Sequence, residues 1–144
     1  MIIGIGVDVV DATRIEKIYF RHKERFLDKI LTASEKNKMT QISLHKALIS
    51  YLAKRFSAKE AVAKAFGQGI GPVLSFKDIE ILNNEHGAPI VNLPNWFLEK
   101  YPYKLQINIS ISDEWPTATS FVIVSRDDRQ QEYGSDLSRK TQKS

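Results

Sequence analysis

Apolar and polar positions recur along the chain with two different periods, and each change of period marks a new element. Residues 1–10 are apolar and β-branched with Gly4 and Gly6 among them, and read as a strand. Glycines inside a strand mark a bulge or the close approach of another backbone or a ligand. Asp8 interrupts the same apolar run. In residues 13–22, Ile15, Ile18 and Tyr19 fall on one side and Arg14, Lys17 and Arg21 on another, which predicts a short amphipathic helix. Phe26, Leu27, Ile30 and Leu31 predict a second helical stretch, and Thr32 followed by Glu35 is the capping-box signature of a third.

The longest periodic segment is 46–66, with Gly67 placed to stop it. Ala47, Tyr51, Ala58, Ala61, Val62 and Ala65 share one helical face, and Leu48, Leu52, Phe56 and Phe66 cover the adjoining one. What remains is a narrow polar stripe of Lys46, Ser50, Ser57, Glu60 and Lys64. A helix apolar over most of its circumference is buried on most sides, so charges on its stripe call for a reason. Further on, the 78–83 segment alternates around Ile79 and Ile81, and 90–92 pairs back across the turn HGAP at 86–89. Asn95 is expected to cap a helix reaching Tyr101. Leu105, Ile107, Ile109 and Ile111 alternate with Gln106, Asn108, Ser110 and Ser112 as a half-buried strand does. The SDEWPT segment reads as a loop and 118–124 as a last strand. The order gives an α+β class: an antiparallel sheet packed against one long and several short helices.

Composition narrows the picture. The chain has 144 residues, 42% apolar and 26% charged, enough for one domain that buries its own core. Residues 126–144 offer little but Tyr133 and Leu137 to bury. We therefore expect a folded domain at 1–125 and a polar, disordered tail at 126–144. The absence of cysteine excludes a disulfide scaffold, a thiolate zinc site and a cysteine nucleophile. There is no apolar run of about 18 residues and no basic segment ahead of the first strand. No membrane insertion and a cytoplasmic location are the expectation. The net charge of +4 suits an anionic partner without selecting one. The basic residues form no stripe interleaved with aromatics, which argues against nucleic acid.

Several chemistries fail on spacing. His22, His45 and His86 lie far apart, and Gly67, Gly69 and Gly71 are spaced GxGxG after a helix. Neither a histidine metal site nor a dinucleotide fingerprint results. No phosphate-binding GxxxxGK[ST] loop and no GxSxG elbow occurs. Asp8, Glu60 and Lys64 remain. A carboxylate in apolar surroundings needs a partner, since an unpaired buried charge costs several kcal/mol or shifts its pKa. In one arrangement Glu60 and Lys64 form a helical i,i+4 pair worth about 0.2–0.5 kcal/mol, and Asp8 is an ordinary strand carboxylate. In the other the two carboxylates converge as oxygen ligands of a Mg²⁺ shared with substrate phosphates. The lysine then serves as a point charge on a phosphate oxygen.

At this point two segments carry a resemblance. GIGVDVVDATRI at 4–15 with RFSAKEAVAKAFGQGIG at 55–71 resembles the paired signature of the phosphopantetheinyl transferases. It is most similar to their small holo-[acyl-carrier-protein] synthase group. HGAPIV at 86–91 and NISISDEWPTATSFVIV at 108–124 match later blocks of that group in order, so the likeness spans roughly residues 1–125. The resemblance implies a phosphopantetheinyl transferase-like fold. It implies transfer of the 4′-phosphopantetheine arm of coenzyme A to a serine of apo-acyl carrier protein, releasing 3′,5′-ADP, in fatty-acid biosynthesis.

It further implies roles residue by residue. Asp8 and Glu60 match the Mg²⁺ ligands and Lys64 the lysine that meets the diphosphate. The base for the serine proton stays open among Asp8, Glu60 and a water. Arg55 matches a contact to coenzyme phosphate, Gly69 and Gly71 a loop that approaches the ligand, and Gly87 and Pro89 a turn beside the nucleotide. Arg14, with Lys17 and Arg21 on the same face, matches a basic surface that docks carrier protein. A homotrimer with sites between protomers is implied as well. The group often reads S-x-S-H where this chain has Ser110, Ile111, Ser112 and Asp113. Asp113 thus puts a negative charge beside the expected phosphates. It leaves open a second reading, a silent module that binds coenzyme or carrier without transfer.

Overall fold

The computed structural model describes residues 1–128, and the expected tail falls, beyond Asp128, outside them. β1 (Ile2–Asp11) ends at an aspartate that also starts the next element. The Asp11 carboxylate accepts from the Thr13 amide at 2.8 Å and its hydroxyl at 2.6 Å, capping α1 (Ala12–His22). α2 (Glu24–Ile30) and α3 (Ala33–Met39) follow, α3 opened by the Thr32–Glu35 capping box. α4 (His45–Ala65) runs 21 residues and is released by Gly67 at φ 74°. β2 (Glu80–Asn83) and β3 (Pro89–Asn92) form a small hairpin, α5 (Asn95–Leu98) a single turn, and β4 (Leu105–Glu114) and β5 (Thr117–Arg126) a long hairpin.

The main sheet is antiparallel in the order β1-β5-β4. One face packs on α4, and the architecture is α+β as the pattern predicts. Gly4 and Gly6 show why this packing is close. A Cβ at Gly4 would lie 1.9 Å from the Ala65 carbonyl oxygen, and one at Gly6 would lie 2.0 Å from that of Ala61. On the other face Ile3, Ile5, Val7, Val9 and Phe121 are exposed. The core has two lobes. One gathers Ile15, Leu27, Ile49 and Leu52 beneath the first helices, and the other gathers Val62, Ile81, Phe97 and Val122 beneath the sheet.

Three local expectations are corrected. Asn95 is the first residue of α5, with Pro94 at the cap, and the helix ends at Leu98 rather than reaching Tyr101. Tyr101 precedes a proline, which disfavours the helical region, and its ring packs on Phe66 and Phe97 at centroid distances of 5.8 and 6.0 Å. The SDEWPT loop shrinks to Trp115 and Pro116, because Asp113 and Glu114 still pair with Ala118 and Thr117 in the ladder. The polar stripe of α4 is interrupted, since Ser57 is buried with its hydroxyl 2.6 Å from that of Ser120 on β5.

Lys59, outside that stripe, is fully buried. Its Nζ donates to Glu35 Oε1 at 2.5 Å, the Ile30 carbonyl at 2.6 Å and the Phe76 carbonyl at 3.0 Å. All three ammonium hydrogens are used. Glu35 also accepts from the Thr32 and Ile81 amides. The pair joins α4, α3 and β2, and burial still pushes the Lys59 ammonium pKa down against the pull of Glu35.

Candidate active site

β1 and α4 bring Asp8, Glu60 and Lys64 together. Asp8 lies on the β1 face turned to α4, two residues after Gly6 on the same side. Lys64 Nζ donates to Asp8 Oδ1 at 2.9 Å and to the Val7 carbonyl at 3.2 Å. This hydrogen bond raises the Lys64 pKa, and the charges of Asp8 and Glu60 add to it. The Glu60 side chain makes no hydrogen bond among the described residues. Burial first, and then the Asp8 charge, push its carboxyl above the ordinary range, while Lys64 pulls it back. Lys64 therefore bonds Asp8 and leaves Glu60 without a donor; the simple i,i+4 pair is not what forms.

Two carboxylates held close with one unpartnered are a donor set that suits a hard divalent cation. A cation here would offset both the burial of the Glu60 charge and its repulsion from Asp8. Among the described residues no group of three or more His, Cys, Asp and Glu side chains gathers. An ion at this place would take its remaining ligands from substrate and water, as Mg²⁺ does with phosphates.

Glu60 lines a cavity of about 580 Å³ with Ile18 and His22 of α1, Phe26 and Lys29 of α2, and Phe56. Arg14, Lys17 and Arg21 are exposed on α1 but do not line it. The cations that do are Arg25 and Lys29, which pattern reading passed over because α2 showed only its apolar side.

Arg55 lies elsewhere. Five residues before Glu60, it points about 140° away around the helix. It is 5% exposed, its guanidinium stacks on the Tyr51 ring at 4.7 Å, and Nη2 donates to Asn83 Oδ1 at 2.6 Å. Asn83 in turn donates to the Gly87 carbonyl at 2.9 Å, which ties Arg55 to the turn that contains Gly87 (φ 81°) and Pro89. Arg55 Nε is buried without a partner. Arg55, Gly87 and Pro89 line one groove with Lys38, Lys54 and Asp113. Asn83 and Lys54 escaped the sequence reading, since neither carries a local signal. Gly69 and Gly71 line neither this groove nor the Glu60 cavity, and a Cβ on either would meet nothing within 4 Å.

The chain matches the family model of the 4′-phosphopantetheinyl transferase superfamily over residues 4–120. It is 41% identical over 132 residues to a holo-[acyl-carrier-protein] synthase of Bradyrhizobium diazoefficiens, covering 87% of this chain and 95% of that one. Among solved structures it resembles the holo-[acyl-carrier-protein] synthase of Neisseria meningitidis, with a TM-score of 0.79 and 36% identity. That match covers 88% of this chain and 100% of the other. It also resembles the Bacillus anthracis synthase solved in complex with coenzyme A (3′,5′-ADP), with a TM-score of 0.76 and 35% identity, over 88% and 99% of the two chains.

Proposed function

This chain belongs to the 4′-phosphopantetheinyl transferase superfamily, and from that premise we propose how its own residues carry the activity of the holo-[acyl-carrier-protein] synthases. It transfers the 4′-phosphopantetheine group of coenzyme A to a serine of apo-acyl carrier protein, in fatty-acid biosynthesis, and releases 3′,5′-ADP. The serine oxygen bonds to the phosphorus of the phosphopantetheine arm, the phosphorus–oxygen bond to 3′,5′-ADP breaks, and the serine proton goes to a base. The reading rests above all on the meeting of Asp8, Glu60 and Lys64, with Glu60 left unpartnered.

Asp8 and Glu60 would hold Mg²⁺, which supplies Lewis-acid charge neutralisation at the diphosphate. Lys64 is placed to meet charge that grows on the leaving diphosphate oxygen. The base for the serine proton stays open among Asp8, Glu60 and a water, with Asp8 bonded to Lys64 in this arrangement. The basic and apolar rim formed by Ile18, Phe26, Arg25 and Lys29 suits an acidic carrier helix, and Arg14, Lys17 and Arg21 extend the positive surface for its approach.

Arg55, Asn83, Gly87 and Pro89 form a second half-site for the nucleotide end of the coenzyme. Gly69 and Gly71 have open space for a ligand but no contact that supports the role. Arg55 and Glu60 face different sides of α4, an arrangement in keeping with a coenzyme that bridges two adjoining protomers. The exposed apolar row Ile3, Ile5, Val7 and Val9 offers the surface for such contact, and the homotrimer is the assembly we propose. No helix among the described residues is long and apolar enough to cross a membrane, and the cytoplasm is the compartment this reading implies.

The test is intact-mass measurement of apo-acyl carrier protein incubated with this protein and coenzyme A, with and without Mg²⁺. A phosphopantetheine mass gain that requires the metal is expected. No gain while an authentic transferase modifies the same carrier would leave a silent binder. A gain undiminished by chelator would remove the metal from the scheme.

A further inference from the structure

The groove beside Arg55, about 230 Å³ in volume, gathers three cations and one anion, of which the function proposed above uses only Arg55. Lys38, Lys54 and Arg55 line it from α3 and α4, and Asp113 enters from the end of β4. The Asp113 carboxylate lies 3.7 Å from Lys54 Nζ, with both side chains about one-third exposed. Arg55 brings a buried guanidinium whose Nε has no partner. A groove with this charge suits a phosphate. Coenzyme A has two phosphate centres, and the diphosphate belongs with Asp8, Glu60 and Lys64 under the proposed function. The 3′-phosphate of the ribose is the one left for this groove.

We propose that Asp113 is a positioning residue that weakens selection for the 3′-phosphate. It does so by holding Lys54 in an ion pair at the mouth of the groove. The inference rests on the function proposed above. A phosphate beside Arg55 shares Lys54 with a carboxylate already bound to it and also meets that carboxylate's own charge. Both effects act on the phosphorylated ligand alone. A ligand that lacks the 3′-phosphate leaves the Lys54–Asp113 pair undisturbed.

The experiment compares coenzyme A with 3′-dephospho-coenzyme A as substrate for the full-length protein, read as KM and kcat separately with apo-acyl carrier protein as acceptor. In Asp113→Asn, which keeps the shape and removes the charge, KM for coenzyme A is expected to fall about two- to fivefold, the range of a partly exposed ion pair. KM for the dephosphorylated form and kcat for both should stay level. Lys54→Met reads the same pair from its other end and should raise KM for coenzyme A alone. In the Lys54→Met background, Asp113→Asn should still lower KM for coenzyme A, because the carboxylate's own charge still repels the phosphate there. A rise in KM for coenzyme A in Asp113→Asn, or an equal shift for both substrates, overturns the proposal while transfer itself stands. Absence of transfer by the unaltered protein overturns the function reading instead, so the two failures are distinct.

Discussion

Lys59 and Glu60 are consecutive on α4, and their surroundings treat them in opposite ways. Lys59 is sealed in the core with all three donors bonded and Glu35 as its counter-charge. Glu60 opens on a cavity with no donor to meet it and a second carboxylate nearby. Buried polar groups stabilise or specify a fold only when they are fully satisfied. The first cluster meets that condition within the chain. The second meets it only when something is added, which is how a binding site differs from a structural network. A helix turns about 100° per residue, so adjacent side chains can serve the two ends.

The comparison is broken most severely by Lys59→Met. Removing one partner of a buried pair strands the other, at a cost of about 3–5 kcal/mol, measured by denaturant unfolding. The molecules that remain folded should still transfer phosphopantetheine, since Lys59 bonds Glu35 and two backbone carbonyls and none of Asp8, Glu60 and Lys64. Glu60→Ala should do the reverse. Transfer should fall about 10²–10³-fold, the scale for losing a charge-stabilising group at a reacting centre, with no loss of thermal stability. A substantial drop in melting temperature there would place Glu60 with Lys59 as structural.

A smaller effect sharpens the contrast further. The Glu60 pKa is raised in the fold, so the folded chain binds this proton more tightly than the unfolded chain does. The associated stability is fully present below the ordinary glutamate range and is lost as pH rises through the raised value. With metal chelated, Glu60→Gln should match the unaltered protein in acid and exceed it in melting temperature at neutral pH. An offset that does not change with pH would contradict the burial and the Asp8 charge that together raise the Glu60 pKa.

Asp8 was legible in the sequence because it interrupts an apolar run, and Glu60 and Lys64 because they lie on the narrow polar stripe of a mostly apolar helix. The Thr32–Glu35 cap was legible because it is local. Lys59 was not, even though it adjoins Glu60. Its orientation depends on α3 and β2 supplying Glu35 and closing around it, and no helical periodicity encodes that. Arg55 could be placed near phosphate only through the resemblance. Its link to Asn83 spans 28 positions and exists only once the small hairpin folds back on α4. The overlong helix expected from Asn95 failed for a related reason, since aromatic packing with Phe66 and Phe97 claims Tyr101 for the core.

Gly4 and Gly6 also decide which genetic changes this protein can absorb. Gly6 precedes Asp8 by one strand repeat, and the carbonyl it abuts belongs to Ala61, directly after Glu60. A methyl group at Gly6 would wedge β1 from α4 and part the two carboxylates without touching either. Loss-of-function alleles should therefore gather at positions with no chemistry of their own. Shrinking a side chain at Ala61 or Ala65 could not suppress them, because the obstacle is a carbonyl oxygen that every amino acid carries.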